Sequence, residues 1–513
     1  MKNILKIIVG GLFALITAYY ASTLTNNNIH GTFLILATLF GAYMAMNIGA
    51  NDVANNVGPA VGSGALSIAG AIIIASIFEA GGALIAGGDV VGTIKKGIID
   101  PVAFGDNPMI FVYAMSAALL SAALWLNLAT WIKAPVSTTH SIVGGVLGGG
   151  IAAGGFAIVS WGTIGKIALS WIISPVLGGL IAAIFLYIIK SQILYKHNKL
   201  EAAKKVVPIL VGVMSIAFIT YLTIKGLKHV WQPITEVLTF LPDTKKPSFG
   251  IALIFGLIGG SIIYFILKPK IEKKVLSLSE TREDLNSLFI IPLIFSAALL
   301  SFAHGANDVA NAVGPLAAVY DALTNTAVST KVAIPLWVMI VGGIGISIGL
   351  ALFGPRLIKT VGSEITELDK MRAFSIMMAA SITVVIASQL GLPVSSTHIA
   401  VGAIFGVGFL REYLDNKNLR ENERELEKAI KTHEKLKKEF KKVKKSEDFE
   451  KQVLIIQDIK KMKKDIKQMK KSVKQKYIKR GMIKKIITAW IITVPVAALL
   501  SWIIFFIIKG ISI

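Results

Sequence analysis

Apolar positions in this chain fall in long, nearly unbroken stretches: Ile4–Ala21, Leu66–Ala86, Met109–Leu128, Gly250–Leu267 and Ala333–Phe353 are five of them. Each has roughly the 20 residues a helix needs to cross about 30 Å of hydrocarbon. About a dozen such runs recur, so the pattern predicts an all-α polytopic membrane protein of about 12–13 spans. Polar residues interrupt the pattern in two ways. They gather in basic segments, at 268–287 and 411–480, and they stand as short islands inside otherwise apolar runs. The islands are the informative part.

The bulk numbers agree with a bilayer protein. Of 513 residues, 54% are hydrophobic and only 16% charged, and mean hydropathy is +0.68. There is no cysteine, which excludes disulfides and thiolate metal sites. The net charge of +23 is concentrated rather than spread. Residues 411–480 hold 25 Lys and Arg against 13 Asp and Glu, roughly half of that excess. Lys and Arg collect on the cytoplasmic side of membrane proteins, so this segment is expected inside the cell, with no nucleic-acid partner implied. Lys2 and Lys6 place the amino terminus inside as well. Ile4–Ala21 is too long for the apolar core of a signal peptide and no small-x-small cleavage site follows it, so it is expected to be retained as a first span. The carboxyl terminus is then outside, in the cell membrane.

The chain repeats itself. Residues 49–59 read GANDVANNVGP and residues 305–315 read GANDVANAVGP, identical at ten of eleven positions. APVSTTHSIVGG at 134–145 pairs with LPVSSTHIAVGA at 392–403. Asn51 and Ser137 are 86 residues apart, and Asn307 and Ser395 are 88 apart. A weaker echo pairs WIISPV at 171–176 with WIITVPV at 490–496. A unit of several spans has been duplicated. The expected organisation is an extra span in 1–30, a first repeat and following spans in 31–267, and a basic connecting loop in 268–287. A second repeat in 288–410, a charged insert in 411–480 and a last span in 481–513 complete it. The insert is rich in Glu, Lys, Leu and Ile and breaks near 445–448, where Ser446 would cap a second helix, so a helical hairpin is expected there.

The islands carry the chemistry. Asn, Asp, Gly and Pro together disfavour a helix interior, so each GANDVAN segment is expected to break its helix and line a cavity. Asp52 and Asp308 are ionisable groups within such segments, and in a membrane these are functional by default. In PVSTTH, Pro135 favours a helix start, which puts Ser137, Thr138 and Thr139 in a first turn whose free N–H groups and hydroxyls suit an anion. Pro393, Ser395, Ser396 and Thr397 repeat the arrangement. Two half-helix N-termini can thus face one tetrahedral oxyanion, as in many secondary transporters. Two carboxylates beside an anion would repel it unless a proton is shared or a cation lies between, and Asp and Asn oxygens suit Na⁺. That conflict is a physical reason for symport.

These motif pairs resemble the inorganic phosphate transporter (PiT) family of sodium- or proton-coupled carriers, over nearly the whole chain apart from the insert and the first span. The stretch Gly49–Asp100 is most similar to the sodium-coupled branch. The resemblance implies two inverted repeats with broken helices and re-entrant hairpins, and phosphate held between them by Asp52, Asp308, Ser137, Thr138, Thr139, Ser395, Ser396 and Thr397. It implies sodium as a co-transported ion on Asn51, Asp52, Asn55, Asn307, Asp308 and Asn311, with no cofactor. Glu79, inside the apolar run SIFEAGG, is a further candidate for coupling, as are His140 and His398, which close the PVSTTH motifs. One departure stands out: the family's second glutamate falls at Met377 here, which bears on the cation and its stoichiometry. Proton-coupled phosphate, metal–phosphate and sulfate carriage are the alternatives within the family. An intramembrane enzyme lacks its nucleophile–base pair or metal cluster, and a channel would set the aspartates against anion flow. A homo-oligomer is left open.

Overall fold

The computed structural model describes residues 2–24, 29–104, 107–132, 134, 136–228, 230–242, 244–324, 334–358, 368–443, 449–473 and 480–511. Helices dominate them. The first half contains α1 (Lys2–Thr23), α2 (Ile29–Gly62), α3 (Ile68–Ala86), α4 (Gly88–Lys96), α5 (Pro108–Trp131), α6 (Thr138–Gly154) and α7 (Trp161–Ile189). After α8 (Lys199–Gly226), α9 (Trp231–Val237), α10 (Phe249–Val275) and α11 (Arg282–Ser287) come α12 (Ile290–Asp308), α13 (Ala310–Thr324), α14 (Leu336–Phe353) and α15 (Lys370–Gln389). The chain ends with α16 (Ser396–Val443), α17 (Phe449–Val473) and α18 (Arg480–Ile511).

The described residues contain 11 helices long and apolar enough to cross a membrane, and the chain is a multi-pass membrane protein. That is fewer than the 12–13 apolar runs suggest, for two reasons. Residues 282–324 count as one continuous 43-residue stretch. The second arm of the first hairpin, α6, has only 17 residues.

The chain divides into two compact units, Met1–Val407 with Gly481–Ile513, and Gly408–Arg480. The second unit comprises α16 from Gly408 onward together with α17, two charged helices. Ser446 lies outside the described residues.

Within the first unit the duplication is visible as paired close approaches. Gly49 of α2 lies against the carbonyl of Ile346 in α14, and Gly305 of α12 lies against the carbonyl of Glu79 in α3. Gly82 of α3 meets the carbonyl of Phe302, and Gly349 of α14 meets that of Met46. A Cβ at any of these four positions would collide with backbone, so small residues set how closely the helices pack. The same holds around the hairpins: Gly148 meets Ala498 of α18, and Gly406 meets Gly179 of α7.

One expectation fails in the first copy. That GANDVAN helix is not broken, and in the second copy α12 and α13 are separated by a single residue. α2 runs without interruption through Asn51–Asn55 and past Pro59, and the second copy is marked only at Val309, which keeps right-handed helical dihedrals (φ −55°, ψ −31°). The polar side chains bond one another across the interior, so they do not have to compete for their own backbone. The longer breaks fall at the two hairpin tips, where Ile132, Ala134, Val136 and Ser137 between α5 and α6 and residues 390–395 between α15 and α16 are outside α-helix.

Candidate functional site

Each hairpin tip ends where a helix begins. Ser137 caps α6, its Oγ accepting the N–H of His140 at 3.1 Å, and Ser395 does the same for the N–H of His398 at 3.2 Å. The hydroxyl protons of both serines stay free to donate elsewhere. Pro135 lies outside the described residues. The first turns of α6 and α16 therefore carry Thr138–Thr139 and Ser396–Thr397 at helix N-termini, where N–H groups and the helix dipole favour negative charge.

The GANDVAN helices clasp these tips by a rule that both halves obey. The first Asn of each motif holds the tip of its own half. Asn51 Nδ2 donates to the Val136 carbonyl at 2.8 Å; Asn307 Nδ2 donates to the Leu392 carbonyl at 3.2 Å and its Oδ1 accepts the Val394 N–H at 3.4 Å. The second Asn reaches the opposite half. Asn55 Nδ2 donates to Thr397 Oγ1 at 2.8 Å, and Asn311 Nδ2 to Thr139 Oγ1 at 3.2 Å. Thr139 in turn donates to the Val394 carbonyl at 2.8 Å, tying tip to tip.

The two aspartates sit where the tips meet. Thr138 Oγ1 lies 2.9 Å from Asp52 Oδ2 and 3.2 Å from Asp308 Oδ2, Ser396 Oγ lies 3.3 Å from Asp308 Oδ2, and Thr397 Oγ1 lies 3.2 Å from Asp52 Oδ1. All of these residues are buried. Every candidate named from the duplicated motifs except Ser137, Ser395 and the two histidines thus joins one hydrogen-bonded cluster. The two serines cap its helices.

His304 does not stand out in the sequence, yet it lies at the centre. Its Nε2 is 3.1 Å from Asp308 Oδ2 and 3.5 Å from Asp52 Oδ2, and its Nδ1 is 3.2 Å from Glu79 Oε2. Ligand atoms of Asp52, His304 and Asp308 lie within 4.8 Å of one another, a spacing that could hold a metal ion. The signal available in the sequence was positional: a histidine inside an apolar run, just before the second GANDVAN, where the first copy has Ile48. Asn56 donates to Glu79 Oε1 at 2.8 Å, and it is the one motif position the repeats do not share, the counterpart being Ala312. Glu79 itself is matched by Ile346, as the glycine contacts show. Where the two halves meet, Glu79, His304 and Asn56 thus form a polar trio whose counterpart positions, Ile346, Ile48 and Ala312, are apolar.

His140 and His398 take a different place. Their rings meet edge-on at 4.3 Å between centroids, and each packs on a tryptophan, His140 on Trp171 at 3.7 Å and His398 on Trp490 at 3.5 Å. Trp171 also donates to the Pro393 carbonyl at 3.1 Å. The histidines are thus part of a ring stack between the hairpins. Met377 is fully buried in α15, its carbonyl accepting from Ser381, so that position supplies no carboxylate.

Residues 48–501 match the model of the phosphate transporter family. The chain belongs to that family. It is a phosphate transporter and not an enzyme. A candidate phosphate permease of Helicobacter pylori strain J99 is 49% identical over 522 residues, covering 98% of this chain and 95% of that one. A candidate phosphate permease of Pyrococcus abyssi is 39% identical over 380 residues, covering 74% of this chain and 89% of the other. Among solved structures, one titled as the sodium-dependent phosphate transporter superposes with a TM-score of 0.73 at 30% identity, covering 94% of this chain and all of that one.

Proposed function

We propose that this phosphate transporter works as a symporter that imports inorganic phosphate with sodium, through two inverted repeats that alternate access to a buried site. Phosphate lies between the N-termini of α6 and α16, among Ser137, Thr138, Thr139, Ser395, Ser396 and Thr397 and beside the two aspartates. Asn51, Asp52, Asn55, Asn307, Asp308 and Asn311 hold the cation, with Glu79 beside them through His304. The amino terminus and residues 411–480 face the cytoplasm.

One observation carries the cation requirement. Asn51 Oδ1, Asp308 Oδ1 and Asn311 Oδ1 are buried acceptors with no hydrogen-bond donor among the described residues, in a cluster whose two carboxylates approach within 4.8 Å. At an effective dielectric of 20, two like charges at that distance repel by about 3–4 kcal/mol, before any phosphate arrives. Unsatisfied hard oxygens and crowded negative charge are what a small cation relieves. The sodium dependence of the similar solved transporter supports sodium as that cation.

The test is phosphate uptake into proteoliposomes under an inward sodium gradient, a proton gradient or neither. Uptake above the no-gradient level with sodium alone is expected. Equal stimulation by the proton gradient in the absence of sodium would replace sodium by a proton in this reading, and preferential inhibition by sulfate would replace the anion.

A further inference from the structure

Behind each hairpin tip the first unit has an apolar crevice, and the two crevices are counterparts. The first, of about 370 Å³, lies between α7 and the second hairpin, with Leu169, Ile173 and Leu177 on one wall and Ile386, Leu390 and Leu392 on the other. The second, of about 410 Å³, lies between α18 and the first hairpin, lined by Leu128, Ile132, Ala134 and Ile492 among others. Leu128 and Ile386 each stand seven residues before the motif proline, and Ile173 and Ile492 each stand two after the paired tryptophan. A gap that recurs at equivalent positions in both halves is a feature of the duplicated unit and not a local packing flaw.

We propose that the first crevice is a phospholipid site, taking one acyl chain between α7 and the hairpin tip and an anionic headgroup at Lys166. Lys166 is exposed and closes one end of the lining. Leu169, Ser170, Ile173, Ser174 and Leu177 follow it along one face of α7, at the three- and four-residue steps that align side chains on a helix. From Lys166 to Leu177 is 11 residues, roughly 16 Å of helix rise, about half of the 30 Å hydrocarbon layer and so the depth of one leaflet. A lysine at that level extends its ammonium toward the headgroups. Leu169, Ile173, Ile386 and Leu390 are exposed large apolar side chains, as a surface facing lipid requires. In sequence, Lys485 stands five residues before Trp490 as Lys166 stands five before Trp171, so the duplicated unit repeats the lysine spacing. Free phosphate would gain nothing from an apolar slot, which commits the site to a lipid.

The location gives the lipid a role. Leu390, Leu392 and Val394 line the crevice and lead directly into Ser395–Thr397, while the Val394 N–H is bonded to Asn307. The acyl chain is the packing partner of the tip that holds the anion site.

The experiment reconstitutes the full chain with phosphatidylglycerol bearing a diazirine in its acyl chain and maps the photo-adducts by peptide mass spectrometry. Adducts are expected on 169–177 and 386–392, competed by unlabelled phosphatidylglycerol better than by phosphatidylcholine and unaffected by added inorganic phosphate. Lys166→Gln should lower them roughly fivefold, the effect of one lysine near anionic lipid, while adducts on α10 around the exposed Phe265 stay constant as the internal control. Equal yields at the crevice and at α10, no change in Lys166→Gln, or adducts displaced by phosphate would each overturn the proposal. So would chemical cross-links joining 169–177 of one copy to a second copy, because the occupant would then be protein.

Discussion

Thr138 is the only described side chain whose hydroxyl touches both aspartates, at 2.9 Å and 3.2 Å, and it sits in the first turn of α6. Thr138→Val keeps the branched shape and removes the hydroxyl. That hydroxyl has one proton, so it donates to one acceptor at a time, a carboxylate in the empty site or phosphate in the filled one. A hydrogen bond to a charged group contributes about 1.5–3 kcal/mol, so phosphate affinity should fall roughly 10- to 100-fold. Thr139→Val is the matched control. Its hydroxyl donates to the Val394 carbonyl at 2.8 Å, a neutral bond worth about 1 kcal/mol, and affinity should fall less than about tenfold. Equilibrium binding of radiolabelled phosphate to the purified proteins at saturating sodium measures both. Normally folded Thr138→Val with wild-type affinity, or a larger loss in Thr139→Val than in Thr138→Val, would refute the placement of the anion beside Thr138.

Other expectations concern the scaffold. Lys95 and Asp321 form a buried ion pair at 2.9 Å between α4 and α13; Lys95→Met alone should cost about 3–5 kcal/mol by removing the cation beside a buried carboxylate, and Lys95→Met with Asp321→Leu should recover much of it, read from thermal unfolding in detergent. Gly406→Ala puts a methyl against the Gly179 carbonyl and should destabilise the same transition by about 1–3 kcal/mol. Asp369 caps α15 and pairs with Arg282 at 2.7 Å. Burial pushes its carboxyl up, but Arg372 and Arg282 outweigh that and hold it below the usual range. A depressed carboxylate contributes stability that is present above its unfolded pKa, about 3.9, and is lost as pH falls through the lower folded value. Wild type should therefore lose more stability than Asp369→Asn on acidification below about pH 4.

The sequence carried the architecture because the bilayer leaves few choices: apolar run length predicts the spans, and the doubled motifs predict that GANDVAN and PVSTTH meet. It misplaced the breaks. Propensity argues that Asn51–Asn55 ends a helix, yet side chains that bond across the interior let α2 continue, and the irregular backbone lies at the two hairpin tips. His304 was hidden for another reason. Its role depends on Asp52 and Glu79, 252 and 225 positions away, and only the fold brings them together. The same applies to the ring stack: His140 and His398 were legible as motif residues, but Trp171 and Trp490 come from helices outside both motifs.

The central claim is that a cation makes the anion site habitable by offsetting Asp52 and Asp308. The direct measurement is phosphate binding as a function of sodium concentration, on wild type, Asp52→Asn and Asp308→Asn side by side. Asn caps and hydrogen-bonds about as well as Asp but removes one negative charge. The account predicts steep sodium dependence in wild type and a clearly weaker dependence in both variants, with phosphate still bound at low sodium. Wild-type sodium dependence in both variants would contradict it.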